Sequence, residues 1–282
     1  MPEVRERKAH DPAFRVCRAR ERQQVFLFGQ LLSGIFRQML RRRLRLPVEL
    51  AGGPTMAASE AIFTKDTFRF FRELVRNNHK PWMDANRERY RAVVVEPFRV
   101  LLDRLAPAAL KLNPKFVVTG RVGDNFSRIN RDIRFARDKS PYRAQMYIYF
   151  AEPNGESGQL YVGLSADTVT CGYRVYTEGR TSRLAEIGRA RGREHPEWVE
   201  RQRCRLGKKY ESYWYATERG EWVQRKTWPV KSEDWKKLQG WVVRRKLAPA
   251  AATRRGFERE VAKFFREVYP LLPFTTSPGW KR

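Results

Sequence analysis

The chain has 282 residues, 41% of them hydrophobic, which is enough for a sizeable core in one large or two small domains and excludes disorder throughout. Its 58 Lys and Arg against 31 Asp and Glu give a formal net charge of +27. Polyanions are therefore the natural partners, whether nucleic acid, acidic membrane surfaces or phosphorylated small molecules, although the same charge also fits an Arg-rich surface that is merely solvated.

Cys17, Cys171 and Cys204 are widely spaced and odd in number. That arrangement excludes a disulfide scaffold and a CxxC zinc pair, and a reducing cytoplasm is the simplest compartment. The longest apolar stretch, Val25 to Leu40, is interrupted by Gln30, Arg37 and Gln38 and falls short of the roughly 20 residues a membrane span needs. A soluble, cytoplasmic protein is expected.

The first 55 residues are rich in Arg and nearly devoid of Lys, and Leu50-Ala-Gly-Gly-Pro-Thr55 reads as a joint just before Met56. One reading is an amphipathic targeting or membrane-surface arm with Phe26, Phe28, Leu31, Leu32, Ile35 and Phe36 on one helical face. The other, preferred because no small-residue cleavage site follows the apolar part, is a translation start at Met56. Residues 1–55 are thus expected to be a basic extension, disordered or untranslated, and residues 56–282 a single domain.

From Thr64 the spacing predicts a helix, with Thr64 as N-cap, Asp66 in the first turn and Phe68, Phe71, Leu74 and Val75 on one stripe. It should stop at Asn77-Asn78. Pro81 suits the first position of a second helix, which Pro97 should kink or restart before Leu101, Leu102 and Leu105, giving a helical hairpin. The period then changes. Ile129, Ile133 and Phe135 alternate with Arg128, Asn130, Asp132 and Arg134, the two-residue repeat of a strand, and Arg131 breaks the pattern. Gln145 to Ala151, Gln159 to Leu164 and Val169 to Tyr176, separated by turns at Pro153-Asn154-Gly155 and Ala166-Asp167, predict an antiparallel meander. Helical composition returns from Ser182 to about Arg205 and from Thr253 to Tyr269, where Phe257, Val261, Phe264, Phe265 and Val268 form a stripe. The expected class is α+β, an antiparallel meander flanked by helices in a single main domain.

The run from Arg128 to Tyr142 is the segment richest in chemistry. On a strand, Arg128, Asn130, Asp132 and Arg134 would share one face at about 7 Å between successive members. Two guanidiniums offer forked donors that match a phosphate or carboxylate, and Asp132 between them could hold both in place. Lys139 and Tyr142, on a turn fixed by Pro141, would close the other side of an anion pocket. The competing reading is structural, with Arg131 pairing Asp132 or Asp138 to tie the segment down.

The spacing Arg128, Arg131, Asp132, Arg134, Phe135, Lys139, Pro141 and Tyr142 resembles the signature of an uncharacterised bacterial family, domain of unknown function 2461. Phe71 with Leu74, Asn77-Asn78, Lys80, Trp82 and Tyr90 resemble its opening segment, and Tyr161 to Gly172 its sheet. The resemblance covers about residues 63 to 272 and implies one domain of that extent. It implies no catalytic role for any residue. Tyr210 to Trp241 departs from the family's pattern in being richer in Trp.

Five of the eight tryptophans fall between Trp214 and Trp241, interleaved with Lys and Arg, so a surface that stacks single-stranded nucleic acid is one alternative and ordinary core tryptophans are the other. His79, in the turn Asn77-Asn78-His79-Lys80-Pro81, could act with Asn78 at a cleft edge as a general acid or base, or could cap two helices. No histidine pair has metal spacing, no cofactor motif is present, and Ser127, Ser140 and Gly120-Arg-Val-Gly123 fit neither a nucleophile elbow nor a phosphate loop. The candidate ligand-binding residues are Arg128, Arg131, Asp132, Arg134, Lys139, Tyr142, Asn78 and His79, with a phosphate-bearing small molecule as the expected ligand. The alternatives are nucleic-acid binding and an enzyme acting on a phosphorylated small molecule, with His79 or Tyr142 transferring the proton.

Overall fold

A computed structural model describes residues 60–134, 136–153, 158–177 and 182–281. The basic extension, Phe135 and positions 154 and 155 of the expected turn lie outside these residues. Among the described residues no helix is long and apolar enough to cross a membrane.

Helix α1 (Lys65–Arg76) begins at the expected cap. The Thr64 hydroxyl accepts from the Asp66 amide at 3.2 Å, and the Thr67 hydroxyl accepts from the Thr64 amide at 3.4 Å, a reciprocal pair that satisfies two otherwise unpaired donors. Phe68, Phe70, Phe71 and Leu74 are buried, whereas Val75, expected on the same stripe, is 59% exposed. Helix α2 (Lys80–Ala85) carries Pro81 as its second residue, not its first.

Helix α3 (Arg87–Tyr90) runs through a π-helical turn (Arg91–Val95) into α4 (Glu96–Leu112), so Pro97 neither restarts nor ends the helix. Pro97 has no N–H to give the Val93 carbonyl four residues earlier. The buried Thr67 hydroxyl of α1 donates to that carbonyl instead, at 2.8 Å. The π turn and the proline are thus accommodated by a side chain from the facing helix. Arg89 adds a second tie by donating to Asp66 at 2.8 Å and to Glu73, and both carboxyls are held below their usual range, chiefly by those Arg89 hydrogen bonds.

The sheet comprises β1 (Gln145–Phe150), β2 (Gln159–Ser165), β3 (Val169–Tyr176), β4 (Glu211–Glu218), β5 (Glu221–Arg225) and β6 (Leu238–Leu247). Its order is β1-β2-β3-β6-β4-β5, antiparallel at every pairing. The meander is the first half, and the Trp-rich segment supplies the second. Between β3 and β4 lie a π turn (Leu184–Gly188), α5 (Arg189–Glu194) and α6 (Pro196–Leu206); α7 (Ser232–Lys237) precedes β6. The chain ends with α8 (Pro249–Ala252), α9 (Phe257–Val268) and α10 (Leu271–Thr276). Helix α9 starts four residues later than its composition predicts because Gly256 takes a left-handed φ of +79° at the cap, a conformation open to glycine.

Helices pack on one face of this α+β sheet. The Phe150 ring meets Phe265 of α9, Trp241 meets Trp235 of α7, and the Tyr173 hydroxyl bonds the buried Thr275 of α10. The five apolar residues expected on α9 are all buried there.

Replacing Thr67 with Val keeps the packing volume but strands the Val93 carbonyl and removes the acceptor of the Thr64 amide. A loss of about 1–3 kcal/mol is expected, the cost of an unsatisfied buried acceptor, measured as a lower denaturant midpoint with unchanged slope.

Candidate anion-binding cleft

Residues 128–134 do not form the regular strand that their alternation predicts. The segment does run antiparallel beside β1, joined by bridges Phe126 to Ile148 and Asn130 to Tyr142 and by the Ser127 amide donating to the Tyr147 carbonyl at 3.0 Å. The ladder is interrupted because the Tyr147 amide donates to the Ser127 hydroxyl at 2.9 Å, so a side chain takes the place of a main-chain acceptor. Beyond Asn130 the chain leaves the sheet and returns at Tyr142, with the Arg131 amide donating to the Pro141 carbonyl at 2.8 Å.

The loop between is tied by its own charges. Asp132 accepts from the Arg134 amide at 3.2 Å and takes that residue's guanidinium at 3.0 and 2.7 Å. Asp138 accepts from the Ser140 amide at 2.9 Å and pairs with Arg131. Both aspartates therefore act as turn-forming side chains that hold an arginine. The Arg134 hydrogen bonds keep the Asp132 carboxyl at about 2, and those from Ser140 and then Arg131 push Asp138 well below the carboxylate range. Lys139 turns back onto the carbonyls of Ile133 at 3.1 Å and Arg134 at 3.4 Å.

Asn78 fixes the returning end. Its side-chain amide donates to the Tyr142 carbonyl at 2.9 Å, and its oxygen accepts from the Tyr142 amide at 3.0 Å, so one side chain satisfies both main-chain groups as a neighbouring strand would. The Tyr142 ring is buried. Lys80 and Arg87, which share Asp84, lie near its phenol. His79 caps α2, its Nδ1 accepting from the Trp82 amide at 3.3 Å.

Between the loop and the end of α1 opens a cleft of about 650 Å³, lined by Asn78, Arg131, Asp132, Ser140, Tyr142 and Arg143 among others. The exposed Val75 forms part of its wall. Of the residues singled out from the sequence, Asn78, Arg131, Asp132 and Tyr142 meet here. Arg128, Arg134, Lys139 and His79 do not line the cleft, because without a strand no shared face brings them together. Arg134 is committed to Asp132, so Asp132 does not hold Arg128. Arg143 lines the cleft and was missed in the sequence, standing outside the signature spacing. It is exposed, and among the described residues no carboxylate pairs with its guanidinium.

The Trp-rich segment does not form a stacking surface of five rings. Trp214, Trp228, Trp235 and Trp241 are buried, and Trp222 alone of the five is exposed, at 51%. Burial also drives the Cys171 thiol far up, so it is inert, and among the described residues no group of acidic, His and Cys side chains could hold a metal ion.

Asn78→Ala removes both bonds to Tyr142. We expect a stability loss of about 1–2 kcal/mol and faster hydrogen exchange at the Arg131 and Arg143 amides, read by native-state exchange. Asp132 is expected to titrate at about 2 rather than at its ordinary 3.8. Its depressed value means that its contribution is complete above about pH 4 and is lost as pH falls toward 2. NMR titration should show Arg134→Ala returning the carboxyl to the ordinary range.

A search of curated proteins finds none that matches this chain. The family described as conserved hypothetical protein (DUF2461) matches residues 66–274, a span that holds α1 at one end, the cleft and the entire sheet. The chain belongs to that family.

Proposed function

We propose that the protein binds a small anionic, phosphate-bearing ligand in the cleft beside the Arg131 to Tyr142 loop. The observation that carries this reading is the guanidinium of Arg143 on the cleft wall, which no carboxylate pairs among the described residues, beside an Arg131 that Asp138 holds in position. The Arg143 fork matches a phosphate, and Arg131, already held by Asp138, loses little side-chain freedom when the ligand arrives. Ser140 and Asn78 add polar groups at the rim, and Lys80 and Arg87 add positive potential behind Tyr142. Arg128, Arg134 and Lys139, expected to grip the anion directly, contribute charge to the approach.

The reading is one of binding. His79 spends its Nδ1 lone pair on a helix cap and does not line the cleft, and Tyr142 lines it with a largely buried ring whose main chain Asn78 holds. A reducing, cytoplasmic setting fits the free thiols of Cys171 and Cys204.

The test is thermal unfolding in the presence of inorganic phosphate, pyrophosphate and nucleoside monophosphates. A ligand at 100 times its Kd stabilises by about 2.7 kcal/mol, or roughly 2–4 °C per kcal/mol for a domain of this size. Arg143→Gln is expected to abolish the shift, while Arg134→Gln retains it. Equal shifts in wild type and Arg143→Gln remove the proposal.

A further inference from the structure

The sheet has a second face, and among the described residues no helix bonds or stacks against its side chains. Strand alternation puts Met146, Ile148 and Phe150 toward the helices and Tyr147 and Tyr149 away from them. The register carries that outward phase across the sheet, setting Tyr149 opposite Tyr161, Gln159 opposite Arg174, and Gly240 opposite both Tyr176 and Tyr215. At the far edge Thr217 of β4 is opposite Trp222 of β5, which completes the row.

Such a face usually carries short polar side chains. This one carries aromatic rings. The Tyr147 ring lies 5.9 Å from that of Tyr161, tilted at 58° to it, and on the far side Trp222 lies nearly parallel to Tyr176 at 6.5 Å with Tyr215 tilted beside it at 5.8 Å. Two of the rings lie across a neighbouring strand instead of standing off it. A Cβ at Gly163 would strike the Tyr147 ring, and one at Gly240 would strike that of Tyr176, so glycine at both positions is what lets these rings lie flat.

Cations sit among the rings. The Arg174 guanidinium lies 4.9 Å from the Tyr161 ring centre and 5.3 Å from that of Tyr147; it donates to the uncharged Gln159 at 2.9 Å, and among the described residues no carboxylate pairs with it. Arg244 lies 4.9 Å from the Tyr213 ring centre, with Glu211 as its acid. Six strands at about 4.8 Å spacing make this row roughly 24 Å wide, long enough for several stacked bases.

We infer that this open face is a platform for single-stranded nucleic acid. The exposed Trp222 and the half-buried rings of Tyr147, Tyr176 and Tyr215 offer π-surfaces to bases of any sequence, the Arg174 guanidinium, which no described carboxylate pairs, meets the phosphates between them, and the chain's charge of +27 favours a polyanion over a neutral partner or a second basic copy. The platform shares no ring or cation with the cleft, so the two proposals stand or fall separately.

The experiment titrates the full chain into fluorescein-labelled 20-nucleotide oligouridylate and a duplex of the same length across a salt series, with sedimentation and thermal melting of each variant. Trp222→Ala is expected to weaken single-strand binding by roughly 5- to 150-fold, the range for one lost stack, with an unchanged melting temperature. Arg174→Gln should weaken binding and reduce the slope of log affinity against log salt by about 0.7, and Arg143→Gln should do neither. Single strands should bind more tightly than duplex. Equal affinity for duplex, or variants that bind like wild type, overturns the inference and assigns binding to bulk charge. Absence of binding at low salt also overturns it, and a dimer that Trp222→Ala dissociates would then make the face a contact between copies.

Discussion

One-sided burial of a six-stranded antiparallel sheet is the constraint from which the other features follow. Every described helix that stacks or bonds with the sheet's side chains does so on the face of Phe150, Tyr173 and Trp241. That arrangement concentrates the core in one layer and leaves the other face to protect itself. It does so with large amphipathic side chains that lie over the backbone: Tyr161 is only 3% exposed and Val242 1%, although no described helix covers either. The glycines at 163 and 240 belong to the same solution, since they give the rings room to lie down.

The edge of that sheet explains the charged loop. Strand β1 would present unpaired main-chain groups on its outer side, which invites pairing with another chain. Residues 125–130 cover it, but the Ser127 hydroxyl takes a main-chain acceptor's place, the pairing frays, and the chain loops out between Asn130 and Tyr142. A loop with this many charges must neutralise them locally. Asp132 with Arg134 and Asp138 with Arg131 do so at the surface, where each pair contributes little stability and mainly sets the turn. Arg143, just past the loop's returning end, keeps its guanidinium on the cleft wall with no carboxylate partner among the described residues.

Two helical features show the same dependence on distant partners. The π turn before Pro97 would leave a carbonyl without a donor in an isolated helix, and Thr67 supplies that donor from α1. Asn78 performs the equivalent service for Tyr142 across 64 residues of sequence. Both are short polar side chains at the ends or flanks of helices, where their sequence role reads as capping or solvation. Their structural role is to complete the hydrogen bonding of a segment that cannot complete its own.

The sequence by itself determined the α+β class, the N-cap of α1, the meander β1 to β3 and the apolar stripe of α9, because each is a local pattern of period 3.6 or 2 or a cap that one segment can satisfy alone. It also pointed to the loop as the place where charge collects. The second half of the sheet was hidden because β4 carries aromatic residues on both faces, Tyr213 and Tyr215 outward and Trp214 inward, so no polar phase marks the alternation. The tertiary structure alone decided which cations of the loop are consumed and which line a cleft. An ion pair depends on where a loop's two ends are held, and here a helix end 64 residues away holds one of them.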